Sequence, residues 1–334
     1  MVYGICSSVR RASTKCPRDA QTSGDVGNVK RVYVTMQTLP LVPPRDNGSE
    51  SKDKAKALRA RIDDSVEALA HAVDDVRASD TFRAYLDIQA RFHHYSWHNS
   101  LLILMQRGDA TRVAGFQTWK KLGRYVRKGE RGIMIFAPCP FHREAVNNAG
   151  ESESIDGIFF KPVHVFDVAQ TDGKELPDVD CPVVDADAST LLIALERVAG
   201  KRSIAVKYGT LTGHGFGYAT DKGESIVIDD THPTGQRAKT LAHELAHCSL
   251  HFGKTPQATT LTRNIAELEA ESVAYVVCKH FGLDTTVRSS AYIALWDGDA
   301  KALRASLERI ATTARTIIDD VEALDTAEPG RMVA

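Results

Sequence analysis

Two histidines one helical turn apart, with a glutamate between them, constrain this chain more than any other feature. The stretch 236–253 reads QRAKTLAHELAHCSLHFG. Leu241, Ala242, Leu245, Ala246 and Leu250 recur at helical steps, and Gly253 marks a stop. On a helix, positions i and i+4 lie about 40° apart around the axis and one turn along it. His243 and His247 therefore point the same way and can share one metal ion. Glu244 sits beside them, where it can take a proton from a metal-bound water.

A second acidic helix follows. Residues 264–280 read NIAELEAESVAYVVCKH. Glu267 and Glu271 are i and i+4, hence on one face, while Glu269 faces largely away. Glu267 follows His247 by 20 residues, so a helix reached through a loop brings a carboxylate to the same ion. Two His and one Glu with an open fourth position form the catalytic zinc arrangement. The bland alternative is a surface helix with two solvated histidines beside an acidic neighbour.

These residues resemble zinc metallopeptidases of the gluzincin type, in particular the ImmA/IrrE-like group. There the HExxH helix is followed by a helix carrying a ligand Glu and an acidic residue four positions later. The resemblance implies Zn2+ as cofactor, His243, His247 and Glu267 as metal ligands, and Glu244 as catalytic base. It makes Glu271 the second carboxylate, which orients a ligand histidine. The group often has Asp or Asn where Glu271 stands, so the roles of Glu267 and Glu271 are interchangeable at this point.

The 334 residues, 43% hydrophobic, suffice for two domains with real cores. A net charge of −1 gives no global attraction to nucleic acid, so any such affinity is local. Six cysteines without a C-x-x-C pair point to a reducing, cytoplasmic compartment. No run of 18 apolar residues is present, so no membrane span is expected. The basic, polar N-terminus lacks a signal core.

Residues 1–52, rich in Ser, Thr, Gly, Pro and charge, are expected to be a loose or disordered tail. Leu58, Ile62, Val66, Leu69, Val73 and Val76 then recur at helical steps. A second helical segment carries Phe82, Tyr85, Ile88 and Phe92, and Ser96 starts a third. His93, His94 and His98 read as loose contacts or helix-surface positions rather than a second metal site. In 111–132, TRVAGFQTWKKLGRYVRKGERG, seven basic residues stand against one acidic residue. Arg112, Lys120, Lys121, Arg124, Arg127, Lys128 and Arg131 suit phosphates, and the interleaved Trp119 and Tyr125 suit base stacking. A solvated basic face over core aromatics is the competing account. IMIFAPCPF and IDGIFFKPVHVFDVAQTDG read as strands of a hairpin with a long polar loop.

The stretches YSWHNSLLILMQ, ATRVAGFQTWKKLGRYVRKGERGIMIFAP and FKPVHVFDVAQT look like the N-terminal domain of plasmid ArdC-type antirestriction proteins. That resemblance implies binding of single-stranded DNA by the front half and a zincin-like domain behind it. The expected fold is α+β: a helical layer with a small antiparallel sheet, then a zincin-like domain around the HExxH helix. The expected boundaries are tail 1–52, DNA-binding domain 53–172, linker 173–186, metallopeptidase domain 187–326 and a frayed end 327–334. Ser225 to Asp229 is expected to be an edge strand beside the metal helix, able to bind an extended substrate. Tyr292 is a candidate oxyanion donor, though a core tyrosine is commoner. The implied function is protection of incoming mobile-element DNA from a host restriction system. The alternative is a regulatory metalloendopeptidase that cleaves a repressor or similar protein substrate.

Overall fold

Apolar residues at steps of three and four build the first layer. The computed structural model describes residues 48–71, 75–146, 152–175, 188–211, 216–220, 222–252, 262–285 and 299–327. Helix α1 (Gly48–Ala70) buries Leu58, Ile62 and Val66, and α2 (Asp75–Arg91) buries Phe82, Tyr85, Leu86 and Ile88. Helix α3 (Trp97–Arg107) starts where expected: the Ser96 side chain accepts from the Asn99 N–H, satisfying one orphan donor.

The chain then turns to strands: β1 (Val113–Gly115), the short helix α4 (Phe116–Lys121), β2 (Arg124–Val126), β3 (Ile133–Val146), β4 (Ser152–Asp167) and β5 (Thr171–Gly173). The antiparallel sheet runs β1-β4-β3, and β2 pairs with β5 separately. Helix α3 closes the outer edge of β3 with two amides. Asn99 accepts from the Phe136 N–H at 2.9 Å and donates to the Phe136 carbonyl at 2.8 Å. Gln106 does the same at Met134, at 2.9 Å in both directions. An otherwise unpaired strand edge is thereby satisfied by side chains.

The back half holds α5 (Ser189–Lys201), β6 (Ala205–Gly209), β7 (Gly217–Ala219), β8 (Ser225–Asp229), α6 (Thr234–Leu250), α7 (Arg263–His280) and α8 (Ala300–Ala327). Its sheet runs β6-β8-β7, with β6 parallel and β7 antiparallel to β8. This corrects one expectation: Ser225–Asp229 is the central strand, paired on both sides, and has no edge to offer. Gly217–Ala219 is the edge strand instead. Its Gly217 lies so close to α6 that a Cβ there would meet Thr240 Cγ2 at 2.7 Å.

One cluster of buried side chains runs from Leu58 to Val321, so front and back halves share a core. Tyr275 donates to Asp87 at 2.6 Å, and Arg304 pairs with Asp63 at 3.1 Å. The expected tail up to residue 47, most of the expected linker, Gly253, Tyr292 and the end from 328 lie outside the described residues. Among the described residues, no helix is long and apolar enough to cross a membrane.

Candidate metal centre

Helix α6 presents one fully buried face, with Leu241, Ala242, Leu245 and Ala246, and turns His243 and His247 toward a cleft. Helix α7 is capped at Thr262, whose side chain accepts from the Ile265 N–H, and lays Glu267 and Glu271 against the histidines. The two Nε2 atoms of His243 and His247 lie 3.1 Å apart. Glu267 Oε2 lies 3.5 Å from the first and 3.6 Å from the second. The edge of a tetrahedron with zinc–ligand bonds of about 2.0–2.1 Å is about 3.3 Å. These three atoms are spaced for one divalent cation.

Hydrogen bonding behind the histidines points the same way. Glu269, fully buried, accepts from Ser306 at 2.6 Å and from Arg309 Nε at 3.0 Å. Its Oε2 lies 3.1 Å from His251 Nε2, and His251 Nδ1 lies 3.0 Å from His247 Nδ1. A carboxylate only accepts, so with neutral imidazoles His251 Nε2 donates to Glu269. His251 Nδ1 is then a lone pair, and His247 Nδ1 donates to it. On the other ring, Glu271 Oε2 stands 3.4 Å from His243 Nδ1, and Lys239 holds its Oε1 at 2.6 Å. With both imidazoles neutral, the two Nε2 lone pairs face each other, a clash that either a shared cation or a proton on His243 relieves.

Without an ion, the electrostatics favour a proton on His243 in that place. Burial pulls His243 down, but Glu267 and Glu271 outweigh it and push its pKa up to about 9. His243 and His247 hold the Glu267 carboxyl well below the usual carboxylate range. Glu244 is buried and its pKa is raised by desolvation, against the pull of both histidines and a hydrogen bond from the Ala219 backbone. Burial pushes the Cys248 thiol up to about 11, which keeps it protonated and unreactive. The cleft has a volume of about 1020 Å³ and is lined by β7, by Lys239, His243, Glu244 and His247 of α6, and by Glu267 and Glu271 of α7.

The structure thus brings together His243, Glu244, His247, Glu267 and Glu271, and nearest the two Nε2 atoms stands Glu267, not Glu271. It adds His251 and Glu269, which the sequence motif does not include. A signal for His251 existed: it continues the stripe 243, 247, 251 at i+4 steps.

The basic segment divides. Trp119 is buried and its indole N–H donates to the Phe166 carbonyl at 2.9 Å, which corrects its assignment as a base-stacking residue. Arg124 spends its guanidinium on Thr171 Oγ1, the Thr171 carbonyl and the Lys174 carbonyl, so it fixes β5 rather than a phosphate. Arg127 is paired with Glu130 at 2.8 Å and Asp172 at 3.4 Å. Arg112 is half-buried, its backbone N–H donating to Asp167 at 3.0 Å. Lys120, Lys121, Lys128 and Arg131 are exposed, with no side-chain partner among the described residues, and Tyr125 is 60% exposed. Sequence reasoning also missed the hairpin's apolar surface. Phe141, Ile158, Phe159 and Phe160 are all exposed. The Phe141 ring lies over Gly157, where a Cβ would meet it at 2.5 Å.

Comparison with known proteins gives these two halves their class. Residues 202–278 match the family described as the IrrE N-terminal-like domain, and residues 52–166 match the N-terminal domain of anti-restriction factor ArdC. The two matched segments follow one another along the chain, the ArdC-like one first and the IrrE-like one second. It is 26% identical over 277 residues to an uncharacterized protein of Bacillus anthracis, covering 71% of this chain and 47% of that one. The chain thus spans about half the length of the curated relative it matches. Two crystal structures of the antirestriction ArdC protein from the R388 plasmid are similar. The metal-free one has 21% identity, 69% and 85% coverage of the two chains and a TM-score of 0.46. The Mn(II)-bound one has 19% identity, 68% and 83% coverage and a TM-score of 0.44.

Proposed function

We propose that this chain is an antirestriction protein that binds single-stranded DNA through its front half and carries a zinc-dependent, peptidase-like centre behind it. The observation that carries the reading is the pair of Nε2 atoms facing Glu267 at ligand spacing in a chain whose front half matches the ArdC N-terminal domain. His243, His247 and Glu267 would hold the ion. A bound zinc ion supplies Lewis acidity and lowers the pKa of its water toward about 7. Glu271 and the His251–Glu269 pair fix the tautomers of the two histidines. Glu244, its carboxylate raised by burial and held by Ala219, accepts a proton from water and returns it to a leaving amine.

On the front half, Lys120, Lys121, Lys128 and Arg131 supply charge for phosphates, and Tyr125 with the exposed hairpin rings Phe141 and Phe159 supplies faces for bases. Arg112, Arg124 and Arg127 shape the segment. The test is titration of a labelled oligonucleotide across salt, paired with a restriction-protection assay of Glu244→Gln. Steep salt dependence and unchanged protection fit DNA coating. Salt-independent or absent binding contradicts it.

A second reading is favoured by one observation: the edge strand β7 lines the cleft and touches the Glu244 carboxylate. An extended peptide paired to that edge would lie across the centre, as expected for an endopeptidase acting on a protein partner. In that case Glu244→Gln keeps the metal and abolishes both cleavage and protection.

A further inference from the structure

A second group of metal-ligating side chains lies away from the cleft, where the turn after α2 meets α8. His93 is 6% exposed, and neither of its ring nitrogens makes a hydrogen bond among the described residues. Leaving a buried polar group unsatisfied costs about 1–3 kcal/mol, so such a group asks for a partner. The ring stacks near His94, with centroids 3.9 Å apart, and meets the His280 ring at 4.4 Å.

Two carboxylates face it from α8, three residues apart and so on one side of the helix. Asp319 Oδ1 lies 3.9 Å from His93 Nε2 and 3.7 Å from His94 Nδ1. The other oxygen of Asp319 is taken by Arg315 at 3.4 Å. Glu322 is steadied by His280, whose Nε2 stands 3.1 Å from Glu322 Oε1 and whose Nδ1 meets the Ala90 carbonyl at 3.0 Å. One ligand atom from each of His93, His94, Asp319 and Glu322 lies within 4.8 Å of all the others.

We propose that His93, His94, Asp319 and Glu322 form a second, structural site for a divalent first-row transition cation, clamping the end of α2 to α8. Two imidazoles and two carboxylates suit zinc, cobalt or manganese. The site has four protein ligands, as structural sites do, and joins the ArdC-like segment to the C-terminal helix α8, beyond the IrrE-like match. The histidines expected to be loose surface positions are here the link between halves.

The test uses the full chain with the first centre removed by His243→Ala and Glu267→Ala. Zn2+ and Co2+ are titrated at micromolar protein, with metal counted by elemental analysis and thermal unfolding followed. The proposal expects one equivalent bound, a melting temperature raised by the metal, and cobalt visible bands from a mixed nitrogen–oxygen site. Adding Asp319→Asn or His94→Gln, both at half-exposed positions that leave the core intact, should abolish that equivalent and the shift. No bound equivalent in the first-centre variant overturns the proposal. So does an equivalent that neither Asp319→Asn nor His94→Gln weakens. Because the first centre is already disabled, this result is independent of whether the cleft holds zinc.

Discussion

The α6–α7 pair and the basic segment 111–132 both carry residues of one kind at suggestive spacing, yet folding treats them differently. On α6 the helix itself fixes the relation of His243 to His247, and tertiary packing only adds Glu267. In the basic segment no regular element spans the residues. The residues are spread over α4, β2 and the turn after it, and tertiary contacts decide each fate: Trp119 goes into the core, Arg124 to β5 and Arg127 to Glu130, while Lys120, Lys121, Lys128 and Arg131 stay in solvent. Spacing within one helix is a geometric statement. A charge run split over several short elements is only a composition.

The largest effect expected is on the buried acid behind the metal helix. Glu269→Ala strands Arg309 and frees His251, and should destabilise the fold by about 3–5 kcal/mol in denaturant unfolding. A change under about 1 kcal/mol would mean the chain Glu269–His251–His247 holds nothing in place. Next comes Glu271→Ala, which removes the acceptor at His243 Nδ1. It should weaken zinc affinity about 10–100-fold while leaving one bound equivalent in the cleft at saturating metal. Loss of the ion altogether would make Glu271 a ligand and reverse its role with Glu267.

The front half is sharpened by splitting its cations. Changing Lys120, Lys121, Lys128 and Arg131 to Ala should lower the salt slope of single-strand binding by about 0.7 for each phosphate no longer neutralised. Arg127→Ala, removing a guanidinium already paired with Glu130 and Asp172, should leave the slope unchanged. Equal effects from the two sets would mean that pairing with carboxylates does not set these cations apart. Tyr125→Ala should cost about 1–3 kcal/mol of binding if its exposed ring stacks a base.

The carboxylates beside His243 also give protein stripped of metal a pH dependence. His243 has a folded-state pKa of about 9, above its ordinary 6.5, because Glu267 and Glu271 outweigh burial. A raised folded-state pKa gives stability that is full below pH 6.5 and is lost as pH rises through about 9. Stripped protein should therefore weaken over that window, and zinc-loaded protein should weaken less. A stripped protein equally stable at both ends would show that the carboxylates do not couple to His243.

Much of both halves was legible because the signals are local. The i, i+4 pairs, the helix start at Ser96 and the β-branched and aromatic run IMIFAPCPF each belong to one element alone. What escaped reading was non-local. Glu269 was placed on the far side of α7 from Glu267, which is right, but its partners Ser306 and Arg309 lie 37 and 40 residues on. Strand order escaped too. Residues 225–229 read as a strand beside the metal helix, yet only pairing with β6 and β7 makes that strand central. His93 was unreadable for the same reason, since Asp319 reaches it from the far end of the chain.

The central claim is that one cation is held by His243, His247 and Glu267. Crystals grown with zinc and measured by anomalous diffraction at the zinc edge test it directly. The account predicts a peak in the cleft about 2.0–2.1 Å from both Nε2 atoms and about 2.0–2.2 Å from a Glu267 oxygen. A cleft without a zinc peak, or a zinc ion bound there by other residues, would contradict it.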